Sequence, residues 1–164
     1  IESESVKPNF KQVALAALVK DVAELYEPLA EERHQKLNVI IDSEPQVLAD
    51  QDMLFQAVAN IVDNSVKYTP IGGMISLRVS AETDNPVLEI SDSGPGISSD
   101  ERDKVFQRFY RTDTSRSTPG NGLGLSLAGA VLHLHEAHVA LSDNDPGLCI
   151  RIQFPNVLKR ASAT

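Results

Sequence analysis

Two hydrophobic periods alternate along this chain, and that alternation limits what it can fold into. From Phe10 to Arg33 apolar residues recur at Val13, Ala17, Val19, Val22, Leu25 and Leu29 with polar residues between them, the spacing of one helix face. Leu54, Val58 and Ile61 repeat that spacing behind Asp50, whose carboxylate suits a helix N-cap, and Pro70 with Gly72 and Gly73 ends the run. Elsewhere the period falls to two. Residues 38–41 and 47–49 are short extended runs separated by Asp42, Ser43 and Pro45, and 75–81 and 87–91 alternate as antiparallel strands. A third helix is expected over 122–135. Residues 139–142 and 148–154 then close as a hairpin around Asp145, Pro146 and Gly147. Helices interleaved with hairpin strands, rather than strict strand–helix–strand units, predict a two-layer α/β (α+β) sandwich.

The 164 residues suit one domain with a single core. No apolar run approaches the ~20 residues that span a bilayer, so a soluble piece with no direct membrane contact is expected. The chain opens at Ile1 without a methionine or signal pattern, as expected of a portion of a longer protein. Its formal net charge of −8 argues against a nucleic-acid partner, which would need a basic patch to displace counterions. A nucleotide ligand stays possible, because a few donors and one metal ion can hold a triphosphate locally. Cys149 is the only cysteine, which excludes an intramolecular disulfide or a thiolate zinc cage and fits a reducing compartment.

Three stretches carry chemistry. Asn60, Asn64 and Lys67 share one face of the second helix, offset from its apolar stripe. Their carbonyls and ammonium could meet a hard cation and a phosphate, or they could be an ordinary solvated face. Asp92, Ser93, Gly94, Pro95 and Gly96 follow a strand directly. The glycines would let backbone lie close to a flat ligand and the carboxylate could accept from an exocyclic amine, although a tight surface turn uses the same residues. Gly120, Gly122 and Gly124 open a helix whose free N–H groups could take phosphate, or they form a flexible loop. The spacing is neither a Rossmann fingerprint nor a Walker A motif. Residues 111–121 hold no apolar core positions, and so long a connection is usually a lid or disordered.

In order along the chain stand Asn60–x3–Asn64–x2–Lys67–Tyr68–Thr69–Pro70, Asp92–x–Gly94–x–Gly96, Phe106–x2–Phe109–Tyr110–Arg111, and Gly120–x–Gly122–Leu123–Gly124–Leu125. This order and spacing resemble the N, G1, F and G2 boxes of sensor histidine kinases, in the Bergerat-type ATPase superfamily. The resemblance runs from about Val6 to Pro155. It implies a mixed, mostly antiparallel sheet packed on three main helices, with a mobile ATP lid at 97–119. It implies ATP and Mg2+ as cofactors. Asn64 would be the direct magnesium ligand and Asn60 a second contact, direct or through water. Lys67 would meet the phosphates and Tyr68 stack on adenine. Asp92 would accept from the adenine amine, with Gly94, Gly96 and Ile97 shaping that pocket. Gly120, Gly122, Leu123, Gly124 and Leu125 would line the triphosphate. Phe106 and Phe109 would anchor the lid, and Arg116 would reach the γ-phosphate, with Arg108 and Arg111 as alternatives. Asn60, Lys67 and Arg116 would form the catalytic set.

The resemblance further implies phosphoryl transfer to a histidine on a separate dimerisation domain and relay to a response regulator. The whole protein would then be a homodimer with this domain in the cytoplasm, beneath an inner-membrane sensor. Residues 1–10 would be the linker, 11–157 the catalytic domain and 158–164 a disordered tail. Gyrases, mismatch-repair ATPases and related chaperones carry glutamate where this chain has Asn60. A glutamate can take a proton from water and an amide cannot, so Asn60 favours transfer over hydrolysis. The family's acceptor pattern, His-Glu/Asp-x-x-x-Pro, is matched by neither His34–Gln35 nor His135–Glu136. Ala137–His138 stands where many relatives have Gly-Gly, so that turn is expected to be reshaped. His133, His135 and His138 invite a metal reading, against the plainer one of cations near a helix C-terminus. A degenerate nucleotide-binding module and a hydrolysing or serine-kinase relative are the competing functions. Intact boxes count against the first, and Lys67–Pro70 with the phenylalanines against the second.

Overall fold

The computed structural model describes residues 8–93, 121–144 and 147–157, with backbone alone for 121–125. The elements are β1 (Lys11–Ala14), α1 (Leu15–Glu32), β2 (Lys36–Ile41), β3 (Gln46–Ala49), α2 (Gln51–Tyr68), β4 (Met74–Glu82), β5 (Asn85–Asp92), α3 (Asn121–Leu134), β6 (His138–Asp143) and β7 (Leu148–Gln153). Five strands form the main sheet in the order β2-β4-β5-β7-β6. Only β2 and β4 run parallel; the other pairs are antiparallel. The expected mixed sheet and helix layer are both present.

Alternation along the strands fixes which face meets the helices. Ile75, Leu77 and Val79 of β4 are buried, as are Leu88 and Ile90 of β5 and Ile150 and Ile152 of β7. They pack with Leu15, Leu18 and Val22 of α1, Leu54, Val58 and Ile61 of α2, and Leu132 of α3 in one core. The residues between them point the other way, and Arg78, Glu89 and Arg151 lie side by side in register there. Arg151 donates to Glu89 at 3.2 Å and also pairs with Glu82, while Arg78 pairs with Asp42 at 2.6 Å. One greasy face and one charged face make a two-layer sandwich. The β4–β5 loop holds Thr83 and Asp84 at φ 51° and 67°, the backbone of a two-residue hairpin turn matched to strand twist.

Two expectations need correction. The first helix begins at Leu15, not near Phe10, because Lys11–Ala14 pair with β3 instead. Counting Val13 into the helical stripe also shifted its phase. Ala17 and Leu25 are exposed, while Leu15, Leu18, Val19 and Val22 are buried. A partner strand far along the chain overrode a local pattern. The runs 38–41 and 47–49 do not face each other either; β2 joins the main sheet and β3 pairs with β1. Residues 97–119, where the lid is expected, Asp145, Pro146 and residues 158–164 lie outside the described residues.

Candidate functional site

Helix α2 is held at both ends. At its start Asp50 accepts from the Met53 N–H at 3.1 Å, and its other oxygen accepts from Asn9 N–H at 2.8 Å. Those N–H groups, Asn9 first and Met53 second, hold the Asp50 carboxyl below the usual carboxylate range. At the other end the last turn leaves carbonyls without intrahelical donors. The α1–β2 turn supplies them: Gln35 Nε2 donates to Val66 O at 3.0 Å and Thr69 O at 2.8 Å, and Arg33 Nη2 to Thr69 O at 2.9 Å. His34, between those two residues, takes φ 55° so that both can turn inward.

The polar face of α2 looks away from the core. Asn60, Asp63, Asn64 and Lys67 fall within about 100° of each other around the axis, roughly opposite Leu54, Val58 and Ile61. Asn60 and Asn64 are half-buried, and Lys67 is exposed. Lys67 Nζ lies 2.9 Å from Asp63 Oδ2, one turn back. Burial raises the pKa of Tyr26 on α1, and so do the charge of Asp63 and a hydrogen bond to it. Asp63 therefore stands between α1 and Lys67, a role the sequence reading passed over although the i, i+4 spacing was visible. Tyr68 is 56% exposed.

The end of α2 and the end of β5 meet across Gly73. A Cβ there would sit 2.4 Å from Thr69 Cγ2 and 3.0 Å from Ser93 Oγ, so only glycine lets the two approach. Ser93 N–H donates to Met74 O and Ser93 Oγ accepts from Met74 N–H. Asp92 thus lies beside the helix end carrying Lys67 and Tyr68.

Helix α3 packs on α2 and is pinned to it at one end. His135 is fully buried. Its Nε2 accepts from Asp50 N–H at 3.1 Å, so the proton rests on Nδ1, which donates to Val131 O at 2.8 Å. The ring also packs on Phe10 at a centroid distance of 5.0 Å. The C-terminal end of α3 therefore meets the N-terminal end of α2, and the helices run in opposite directions. From His135 back to Gly122 is a rise of about 20 Å, and the same rise along α2 from Asp50 ends at Asp63. The backbone of Gly122, Leu123, Gly124 and Leu125 opens α3 at about that level. Gly94, Gly96, Ile97, Phe106, Phe109, Arg108, Arg111, Arg116 and Gly120 lie outside the described residues.

The histidine cluster does not form. His133 and His138 are exposed while His135 is buried and fully engaged, and no cluster of metal-binding side chains occurs among the described residues. In the turn after α3, Glu136 takes the left-handed conformation at φ 58°. No helix among the described residues is long and apolar enough to cross a membrane.

The family model described as histidine kinase-, DNA gyrase B-, and HSP90-like ATPase matches residues 49–158, from just before the α2 cap to beyond β7. The chain belongs to this ATPase family. ATP binding follows from membership. The sensor protein kinase PmrB of Pseudomonas aeruginosa is 30% identical over 154 residues, covering 93% of this chain and 32% of PmrB. The solved structure of the mycobacterial sensor histidine kinase MprB is 31% identical with a TM-score of 0.73, covering 88% of this chain and 97% of that one. Full-length ShkA, solved in complex with AMPPNP, is 27% identical with a TM-score of 0.79, covering 94% of this chain and 33% of that one. Within the ATPase family these relatives are sensor kinases, and this chain corresponds to their catalytic domain. It spans only 20% to 38% of the length of curated relatives that it matches.

Proposed function

We propose that this domain gives the γ-phosphoryl group of ATP to a histidine on a separate dimerisation domain of the same kinase, for relay to a response regulator. The observation carrying this reading is the polar face of α2, which bears amides at Asn60 and Asn64 beside Lys67 and no carboxylate at position 60. With Asn60 there, no side chain at that position can deprotonate water, so the site favours another acceptor.

Each residue has a role in this reading. Asp92 accepts from the adenine amine, and Tyr68 stacks on the ring. Gly94, Gly96 and Ile97 shape the adenine pocket. Gly120, Gly122, Leu123, Gly124 and Leu125 offer backbone N–H groups to the triphosphate at the positive end of α3. Lys67 exchanges Asp63 for phosphate. Phe106 and Phe109 anchor the lid and Arg116 meets the γ-phosphate. Mg2+ fits the donor set: half-exposed amide oxygens, without a carboxylate cage, suit a cation that keeps waters and leans on substrate phosphates. Asn64 would hold it directly and Asn60 beside it. When bound, the ion neutralises phosphate charge. Asn60, Lys67 and Arg116 do the rest by positioning. The whole protein is read as a homodimeric inner-membrane sensor with residues 1–10 as linker and 11–157 as this cytoplasmic domain.

The test mixes the protein with ATP and a phosphoacceptor domain from a sensor kinase. Acid-labile, base-stable phosphate on the acceptor is expected. Release of free phosphate at the same rate with and without the acceptor would overturn the reading.

A further inference from the structure

Gln35 is a polar residue in a place that usually takes an apolar one. Helix α1 closes with Gln35 N–H donating to Ala30 O and His34 N–H to Glu31 O, both at 2.9 Å, while His34 is left-handed at φ 55°. In this kind of helix ending the residue after the left-handed one commonly packs an apolar side chain back on the helix. Gln35 is only 6% exposed, and a buried amide costs free energy unless it is hydrogen-bonded. Its donors go to α2 instead. Pro70 has no N–H to offer the Val66 carbonyl one turn back, and Gln35 Nε2 takes that place at 3.0 Å. The same nitrogen reaches Thr69 O, which Arg33 Nη2 also holds. The backbones interlock as well: Gly72 N–H donates to Arg33 O and Lys36 N–H to Gly73 O, each at 3.0 Å. The carbonyls of Val66 and Thr69, which bracket Lys67 and Tyr68, are thus held by a side chain more than thirty positions back.

We propose that Gln35, with Arg33 beside it, is a positioning residue for nucleotide binding: it fixes the last turn of α2 so that the Tyr68 ring stands in place before the base arrives. This role rests on Tyr68 being the platform on which adenine stacks. The last turn is the part of a helix most ready to fray, because its carbonyls have no partners within the helix. Stacking needs a ring at one height and tilt, and a tyrosine has only two side-chain torsions with which to make up for a displaced backbone. Lys67 differs. Its long flexible stem can follow a phosphate through the same displacement. Tyr68 is therefore the residue whose work depends on the donated bonds. Without them, the cost of ordering the turn is subtracted from the binding free energy.

The experiment measures ATP affinity by calorimetry on the full chain, on Gln35→Met, Gln35→Glu and Tyr68→Ala, and on each Gln35 variant combined with Tyr68→Ala. Gln35→Met keeps the length of the side chain, suits a position that usually takes an apolar residue, and removes only the donors. Affinity should fall about fivefold, the scale of one hydrogen bond. Gln35→Glu sets a carboxylate against the same carbonyls and should lower it at least as far; if it does not fold, Gln35→Met carries the comparison. In the Tyr68→Ala background the same substitutions should change affinity by less than about twofold, because the ring that they serve is gone. A merely structural role would give the same loss in both backgrounds. Equal losses with and without Tyr68, or no loss in Gln35→Met, would overturn the positioning role alone. Unchanged affinity in Tyr68→Ala would overturn the stacking assignment and this proposal with it.

Discussion

At the scale of single residues, the decisive groups on α2 are uncharged amides where a hydrolase would place a carboxylate. Asn60 offers a carbonyl and an NH2 group but no base. Replacing it by glutamate adds the missing proton acceptor, so Asn60→Glu should raise basal phosphate release from ATP by about tenfold or more, short of the ~10²–10⁴-fold of a fully positioned general base. A coupled phosphate assay showing no rise would mean that the amide is not what suppresses hydrolysis. Asn64 is set one turn on, half-buried on the same face. In Asn64→Ala the gain in nucleotide affinity on adding Mg2+ should shrink, while affinity without metal stays near that of the parent. Calorimetry with and without the ion reads both. Asp63 restrains Lys67 through an exposed i, i+4 pair, and such pairs contribute only about 0.3–0.5 kcal/mol. That weakness suits the proposed role of Lys67, which exchanges Asp63 for phosphate.

At the scale of elements, α2 matters more than its length suggests, because it carries chemistry on one face and core on the other. Asp50 caps it and is itself bonded by Asn9. Removing such a cap costs about 1 kcal/mol, so Asp50→Ala should lower the urea midpoint at neutral pH without changing the slope. The pH dependence has a definite sign. The folded pKa lies below the ordinary 3.8, so this stabilisation is fully present above that value and fades as the pH falls through the folded one. Asp50→Ala should therefore lose less stability than the parent on acidification through that range. Equal losses would show that the carboxylate is not the group responsible. The far end of α2 is closed by Thr69, whose N–H donates to Ser65 O, and it also takes donors from Arg33 and Gln35 of the preceding turn.

At the scale of the molecule, His135 is the joint between the two helices that flank the proposed triphosphate site. It is neutral, buried and committed at both nitrogens. His135→Leu keeps the bulk and leaves Val131 O its bond from the backbone N–H of residue 135, but it takes the ring acceptor from Asp50 N–H, a loss that costs about 1–3 kcal/mol. Thermal unfolding should show a drop of several degrees. A variant as stable as the parent would mean that water or a neighbour replaces that bond. The same joint receives the entering chain, since Phe10 packs on the ring and Asn9 bonds Asp50. Chain entry and the bases of both helices are one structure.

The family was legible because four motifs stand in one order and spacing along the chain, although each alone also fits a solvated helix face, a surface turn or a loop. So was the layer architecture, since the hydrophobic period reports which face of each element is buried. What could not be read was whatever depends on a distant partner. Strand β1 exists because β3 is beside it, and without that knowledge the first helix was started too early and its stripe misphased. Gln35 and Arg33 look like ordinary polar residues until the end of α2 is set against them. Asn144 and Gly147 look like a turn until Asp92 lies beneath it, and His135 looks like a ligand until burial shows both nitrogens engaged. Periodicity and motif chemistry act over a few residues, whereas these contacts join positions dozens apart, and only the packed chain decides which of them meet.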